Sequence, residues 1–184
     1  MATSRNGVRH VVLVGMMGTG KTTVGQFVAG RLGWPLVDSD ERIEAATGRT
    51  VREIWATDGE TAFRELEQAA LLDALADPRP SVVAAAGGVV LRAANRDALV
   101  SAEAAFVVWL VADPAELAAR VGEGGHRPLL DDDPEAVLRR LSAEREELYR
   151  EVADVVLDTD DRSAEDIADH VVEIVARAAV EGSA

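Results

Sequence analysis

The chain has 184 residues, 48% of them hydrophobic, which suits one compact domain with a real core, and it carries a formal charge of −14. So acidic a chain lacks the basic face of a nucleic-acid binder, and the absence of cysteine excludes disulfide staples, thiolate metal sites and a cysteine nucleophile. Residues 1–9 are polar and the longest apolar stretch, 104–112, is far too short for a bilayer span, so the expectation is a soluble, cytoplasmic domain without a membrane partner.

After a flexible tail over 1–9, a β-branched run predicts a first strand over 10–14, followed by a glycine-rich turn and a helix over 21–32. A second strand over 35–37 ends in Asp38-Ser39-Asp40 and leads into helices over 39–47 and 51–55, then a long helix over 59–75. Strands over 81–85, 104–111 and 154–157 alternate with helices over 93–100, 114–121, 134–149 and 164–179. Such alternation is the signature of an α/β domain, here a five-stranded parallel sheet flanked by helices in three layers. Glycines, His126-Arg127-Pro128 and an acidic run ending at Pro134 mark 122–133 as a mobile lid within a single domain spanning 1–184, with Asp131 to Asp133 forming a hydrated turn that can supply the next N-cap. Trp34, Trp55 and Trp109 read as packing residues, and His126 as a solvated loop histidine.

The segment Gly15-Met16-Met17-Gly18-Thr19-Gly20-Lys21-Thr22 matches GxxxxGK[ST] between a strand and a helix, the P-loop context. Phosphate oxygens need converging donors, and glycines let backbone amides point inward at a helix N-terminus whose dipole favours anions. Gly18, Thr19, Gly20, Lys21, Thr22 and Thr23 are therefore the nucleotide-binding candidates, with Lys21 reaching the β- and γ-phosphates and the Thr22 hydroxyl contributing to a Mg²⁺ site. Of the 19 basic residues 18 are arginine, so the lone Lys21 marks a place where a compact ammonium is needed rather than a planar fork. A chain whose only lysine lies in the P-loop cannot carry the NKxD element of a regulatory GTPase. A P-loop binding module without catalysis stays open at this point.

Asp38 and Asp40 stand two residues apart at the carboxyl edge of the sheet. One carboxylate can hold the water shell of Mg²⁺ while the other accepts a hydrogen bond from the hydroxyl to be phosphorylated. A helix N-cap explains one of these residues but not both acids.

Taken with Asp58-Gly59-Glu60-Thr61-Ala62-Phe63-Arg64-Glu65-Leu66-Glu67, Gly87-Gly88-Val89-Val90 and Arg127-Pro128-Leu129-Leu130, this order and spacing resembles the shikimate kinases from His10 to about Arg162. The resemblance implies a P-loop kinase fold, a monomer, ATP and shikimate as substrates, Mg²⁺ as cofactor, and a place in aromatic amino-acid synthesis through chorismate. It implies that Arg64 and Arg145 grip the shikimate carboxylate, that Gly87 and Gly88 let the backbone approach the ring, and that Asp40 orients or deprotonates the acceptor hydroxyl while Asp38 serves the metal side. It further implies that Arg127 swings over the transferred phosphate and that Arg120 and Arg162 pack around adenine. Ala86 stands where the family has the first of three glycines, and Ala164 where some relatives have a proline. A kinase of another polyol acid such as gluconate is the alternative acceptor reading.

Overall fold

The computed structural model describes residues 7–122 and 133–181. Five parallel strands, β1 (His10–Val14), β2 (Leu36–Asp38), β3 (Ser81–Ala84), β4 (Ala105–Val111) and β5 (Val155–Asp158), form one sheet in the order β2-β3-β1-β4-β5. β1 is central and wholly buried. Its near-continuous apolar run is what a parallel strand covered on both faces requires. The one polar member, His10, places Nδ1 3.0 Å from the Ser81 hydroxyl, and burial lowers its pKa.

Among the described residues seven α-helices flank the sheet: α1 (Lys21–Leu32), α2 (Ser39–Thr47), α3 (Val51–Ala76), α4 (Ala93–Ser101), α5 (Pro114–Gly122), α6 (Pro134–Val152) and α7 (Ala164–Glu181). Side chains alternate along β1, so Val11 and Leu13 pack with Val24 and Val28 of α1 and Ile167 and Val171 of α7. Val12 and Val14 face the other way, toward Leu71 of α3, Leu99 of α4, Leu117 of α5 and Leu138 and Tyr149 of α6. The result is the expected three-layer arrangement. A smaller cluster of Ile43, Ile54, Phe63 and Ala70 joins α2 to α3 at one end of the sheet.

The strand and helix positions agree with the sequence reading to within a few residues, and the departures have local causes. β2 runs one residue further because Asp38 is both the last strand residue and the N-cap of α2, its side chain accepting from the amides of Asp40 and Glu41. The two helices expected over 51–55 and 59–75 form one element, broken only at Gly59, whose φ of 81° and ψ of 178° lie outside the helical region. Its start is fixed by a capping box between Thr50 and Glu53. A short 3-10 turn, Val89–Leu91, follows β3 and was not foreseen. Asp133 caps α6 by accepting from the Ala136 amide at 3.1 Å, as the acidic turn suggested. Residues 1–6, 123–132 and 182–184 lie outside the described residues, and with them most of the expected tail and lid, including His126 and Arg127. Among the described residues no helix is long and apolar enough to cross a membrane.

Candidate active site

At the carboxyl ends of β1, β2 and β3 the chain leaves the sheet in opposite directions, which is where open α/β sheets place ligands. The loop after β1 is held against the sheet so tightly that only glycine fits at its start. Gly15 has φ of 142°, and a Cβ there would stand 2.3 Å from the Leu110 carbonyl oxygen of β4. Thr19 is buried and its hydroxyl donates to the Met16 carbonyl at 2.8 Å, which stiffens the loop from within. Lys21 folds back over the same loop, its ammonium donating to the carbonyls of Gly15 and Met16 at 2.9 Å each. Gly18, Gly20, Lys21, Thr22 and Thr23 line a cavity of about 360 Å³ together with Asp38, Asp40, Gly87 and Arg120.

The Thr22 hydroxyl donates to Asp38 Oδ2 at 2.7 Å, while Asp38 Oδ1 accepts from the Asp40 amide at 3.0 Å. The helix-cap explanation therefore holds for Asp38, and it coexists with the link to Thr22. Asp40 is not the cap. Among the described residues no group of three or more His, Asp or Glu side chains could cage a metal ion. A hydroxyl tied to a carboxylate in a phosphate cavity is instead the donor set that suits Mg²⁺, which keeps most of its waters and takes few protein ligands.

Beside this cavity lies a second, of about 320 Å³, lined by residues of α2, α3, the turn after β3 and α6. Asp40, Met17, Ala86 and Gly87 line both, so the carboxylate of Asp40 stands where the two meet. Arg64 and Arg145, far apart in sequence, are both buried and both line the second cavity. Arg64 sits beside the Trp55–Phe63 pair, with its guanidinium carbon 5.5 and 5.6 Å from their ring centroids, and bonds Glu67 at 2.5 Å and Glu60 at 3.1 Å. Burial pushes the Glu67 carboxyl above the ordinary glutamate range, a rise that the Arg64 charge offsets only in part. The Arg64 guanidinium occupies the space beside Gly88: a Cβ there would fall 1.8 Å from Nη1. Arg145 donates from Nη1 to the Gly87 carbonyl at 3.1 Å.

Tyr149, four residues along α6, donates to that same carbonyl at 2.5 Å and stacks on Trp109 at 5.6 Å between centroids. Burial pushes its phenol up to about 12, so it is a fixed neutral donor. The sequence reading passed over Tyr149, although its i+4 spacing from Arg145 puts both on one helix face. It also took Trp55 as packing alone, whereas the indole lines the second cavity. Glu67 was quoted in a motif and given no role.

Ala86 is buried and lines both cavities, and the Cβ that Gly87 lacks would sit 3.4 Å from the Met17 amide. Arg120 lines the phosphate cavity and is held by Thr159, donating to its hydroxyl at 3.2 Å and to its carbonyl at 3.3 Å. Arg162 is exposed at the start of α7, with Nη2 3.4 Å from His170 Nδ1, and belongs to neither cavity lining.

The family model for shikimate kinase matches residues 17–176. The chain is 46% identical over 167 residues to a shikimate kinase of Symbiobacterium thermophilum, covering 89% of this chain and 94% of that one. It is 45% identical over 165 residues to a shikimate kinase of Halorhodospira halophila, covering 89% and 92%. Its fold is similar to that of the shikimate kinase from Acinetobacter baumannii in complex with shikimate, with a TM-score of 0.87 and 36% identity over 92% of this chain and 94% of that one. A match that extends across the P-loop, the Asp40 junction and both buried arginines leaves one assignment: the chain belongs to the shikimate kinase family.

Proposed function

We propose that this chain transfers the γ-phosphoryl group of ATP to a hydroxyl of shikimate, giving shikimate 3-phosphate and ADP on the route to chorismate. The observation that carries the reading is the position of Asp40, the one acid shared by a phosphate cavity and a cavity lined by two buried arginines. In this reading the P-loop amides and Lys21 bind the β- and γ-phosphates, and Arg64 and Arg145 take the acceptor's carboxylate in charge-assisted contacts. Asp40 aligns the acceptor hydroxyl and receives its proton as the oxygen bonds to the γ-phosphorus and the bond to the ADP oxygen breaks. Lys21 stabilises the charge that spreads over the transferring group. Thr22 and Asp38 would hold Mg²⁺, which when bound neutralises phosphate charge. Gly87 and Gly88 let backbone approach the ring, and Arg120 stands beside the nucleotide. Arg127, in the lid, is assigned to the transferred phosphate and Arg162 to adenine.

In this reading the working unit is a monomer acting in the cytoplasm. The test is an ADP-release assay with shikimate, gluconate and nucleoside monophosphates as acceptors. Turnover with shikimate well above the others is expected. Preference for gluconate would reassign the acceptor, and silence with every acceptor would leave only a nucleotide-binding module.

A further inference from the structure

We propose that Arg52 recruits the carboxylate of the acceptor electrostatically at the mouth of the acceptor cavity, an inference that rests on the acceptor being the anion proposed above. Three guanidinium groups line that cavity, those of Arg52, Arg64 and Arg145. Two are buried and engaged, Arg64 by Glu60 and Glu67 and Arg145 by the Gly87 carbonyl. Arg52 is exposed, and among the described residues no hydrogen bond or ion pair engages it.

The acids that could have paired with it are turned to other tasks. Glu53 closes the capping box with Thr50, Glu44 accepts from the Val51 amide at 2.9 Å, and Asp58 pairs with Arg49 at 2.8 Å. Arg52 is also the second residue of α3, whose N-cap is Thr50. A cation in the first turn opposes the positive end of the helix dipole, so the helix itself disfavours arginine there. What the position does offer is a view of the cavity.

That cavity needs a cation at its rim. It holds Asp40, Glu44 and Glu67 as well as the three arginines, and the chain as a whole carries −14. A carboxylate approaching from solvent therefore meets a repulsive field until it is close to a positive group. Arg64 is buried and offset by two carboxylates and Arg145 is buried, so neither projects far into solvent, whereas an exposed guanidinium projects its field outward within a screening length of roughly 10 Å at 0.1 M salt. Charges at a rim act chiefly on encounter and on its salt dependence.

The experiment compares the unaltered chain with Arg52→Gln, using shikimate and its uncharged methyl ester as acceptors at about 20 mM and about 500 mM ionic strength, where the screening lengths are roughly 20 and 4 Å. At low salt kcat/KM for shikimate is expected to fall about threefold to tenfold in the variant, through KM, and the gap should close to under about twofold at high salt. With the methyl ester the variant and the unaltered chain should agree at both salts, as should their KM for ATP. Equal losses for acid and ester, a loss that salt leaves unchanged, or no loss at all would each overturn the role of Arg52. Failure of the proposed reaction is a separate result, seen as no shikimate turnover by the unaltered chain, and would take this inference with it.

Discussion

In the phosphate cavity most of the donor-bearing residues come from one short run of chain, the loop after β1 and the first turn of α1 with its single ammonium, and Arg120 of α5 joins them from across the cavity. In the acceptor cavity they are side chains drawn from α2, α3 and α6, with Asp40 and Arg145 more than a hundred residues apart. The first region depends on the absence of side chains, as at Gly15, where a Cβ would strike β4. The second depends on charged side chains buried and held by partners, Arg64 by Glu67 and Arg145 by the Gly87 carbonyl that Tyr149 also fixes. Backbone cradles tolerate surrounding sequence change, whereas a buried charge loses its position when one neighbour is altered. Damage to the two regions should therefore separate kinetically, nucleotide from acceptor.

The largest effect is expected at Lys21. Lys21→Ala should lower turnover about 10³-fold or more, since it removes the only side-chain cation of the P-loop from a site of developing charge. The melting temperature should hardly move, because the bonds its ammonium makes to the Gly15 and Met16 carbonyls lie within the P-loop and Lys21 is no part of the apolar core. Lys21→Arg should also fail, the planar fork being too large for a cradle sized to a point charge. An arginine variant near full activity would break the account of this region.

At the junction, Asp40→Asn should lower kcat about 10²-fold or more while ATP binding survives, because the amide keeps the shape but accepts the hydroxyl proton poorly. Asp38→Asn should instead shift the Mg²⁺ dependence, since Asp38 holds the Thr22 hydroxyl at 2.7 Å. The measurement is initial rate against Mg²⁺ for both variants. If added Mg²⁺ rescues Asp40→Asn and not Asp38→Asn, the roles are exchanged.

The same contrast explains what could be read from sequence. The P-loop, the Asp38–Asp40 pair, the five strands and most of the helical residues were legible because each is written in contiguous residues: a glycine pattern, an i, i+2 spacing, a hydrophobic period. The partners inside the acceptor cavity were not, because nothing local says that Tyr149 meets the carbonyl of Gly87, or that Gly88 lacks a side chain to make room for Arg64. The resemblance named Arg64, Arg145, Gly87 and Gly88 as a set, and the structure brings all four to one cavity. How they hold one another came only with the fold. Arg162 was named by the resemblance too, and its guanidinium is exposed beside His170, outside the lining of both cavities.

Gly88→Ala tests that mutual support. The new methyl would fall within 1.8 Å of Arg64 Nη1 and must push the guanidinium off its place, a movement a long side chain can make without unfolding the domain. KM for shikimate should rise roughly tenfold to a hundredfold, the equivalent of one lost charge-assisted contact of about 1.5–3 kcal/mol. KM for ATP should stay within about twofold. Unchanged shikimate kinetics would mean that Arg64 binds nothing from its observed position.

The smallest effect and the sharpest test of the division belong to Tyr149. Its hydroxyl donates to the Gly87 carbonyl at 2.5 Å and lies 3.8 Å from Met16 Sδ, so it touches the acceptor cavity on one side and the P-loop on the other. Tyr149→Phe keeps the stack on Trp109 and removes only the donor, leaving the carbonyl with Arg145 as its remaining partner at 3.1 Å. The stability lost should be about 1 kcal/mol, a drop of roughly 2–4 °C in Tm for a domain of this size. The peptide plane of Gly87 and the Arg145 guanidinium then lose one of two restraints, so KM for shikimate should rise about threefold to tenfold with kcat within about twofold. Calorimetry of ATP and of shikimate binding separates the two sides directly. If ATP affinity falls as far as shikimate affinity, Tyr149 works through Met16 and the phosphate loop, and the two cavities are not the independent regions their construction suggests.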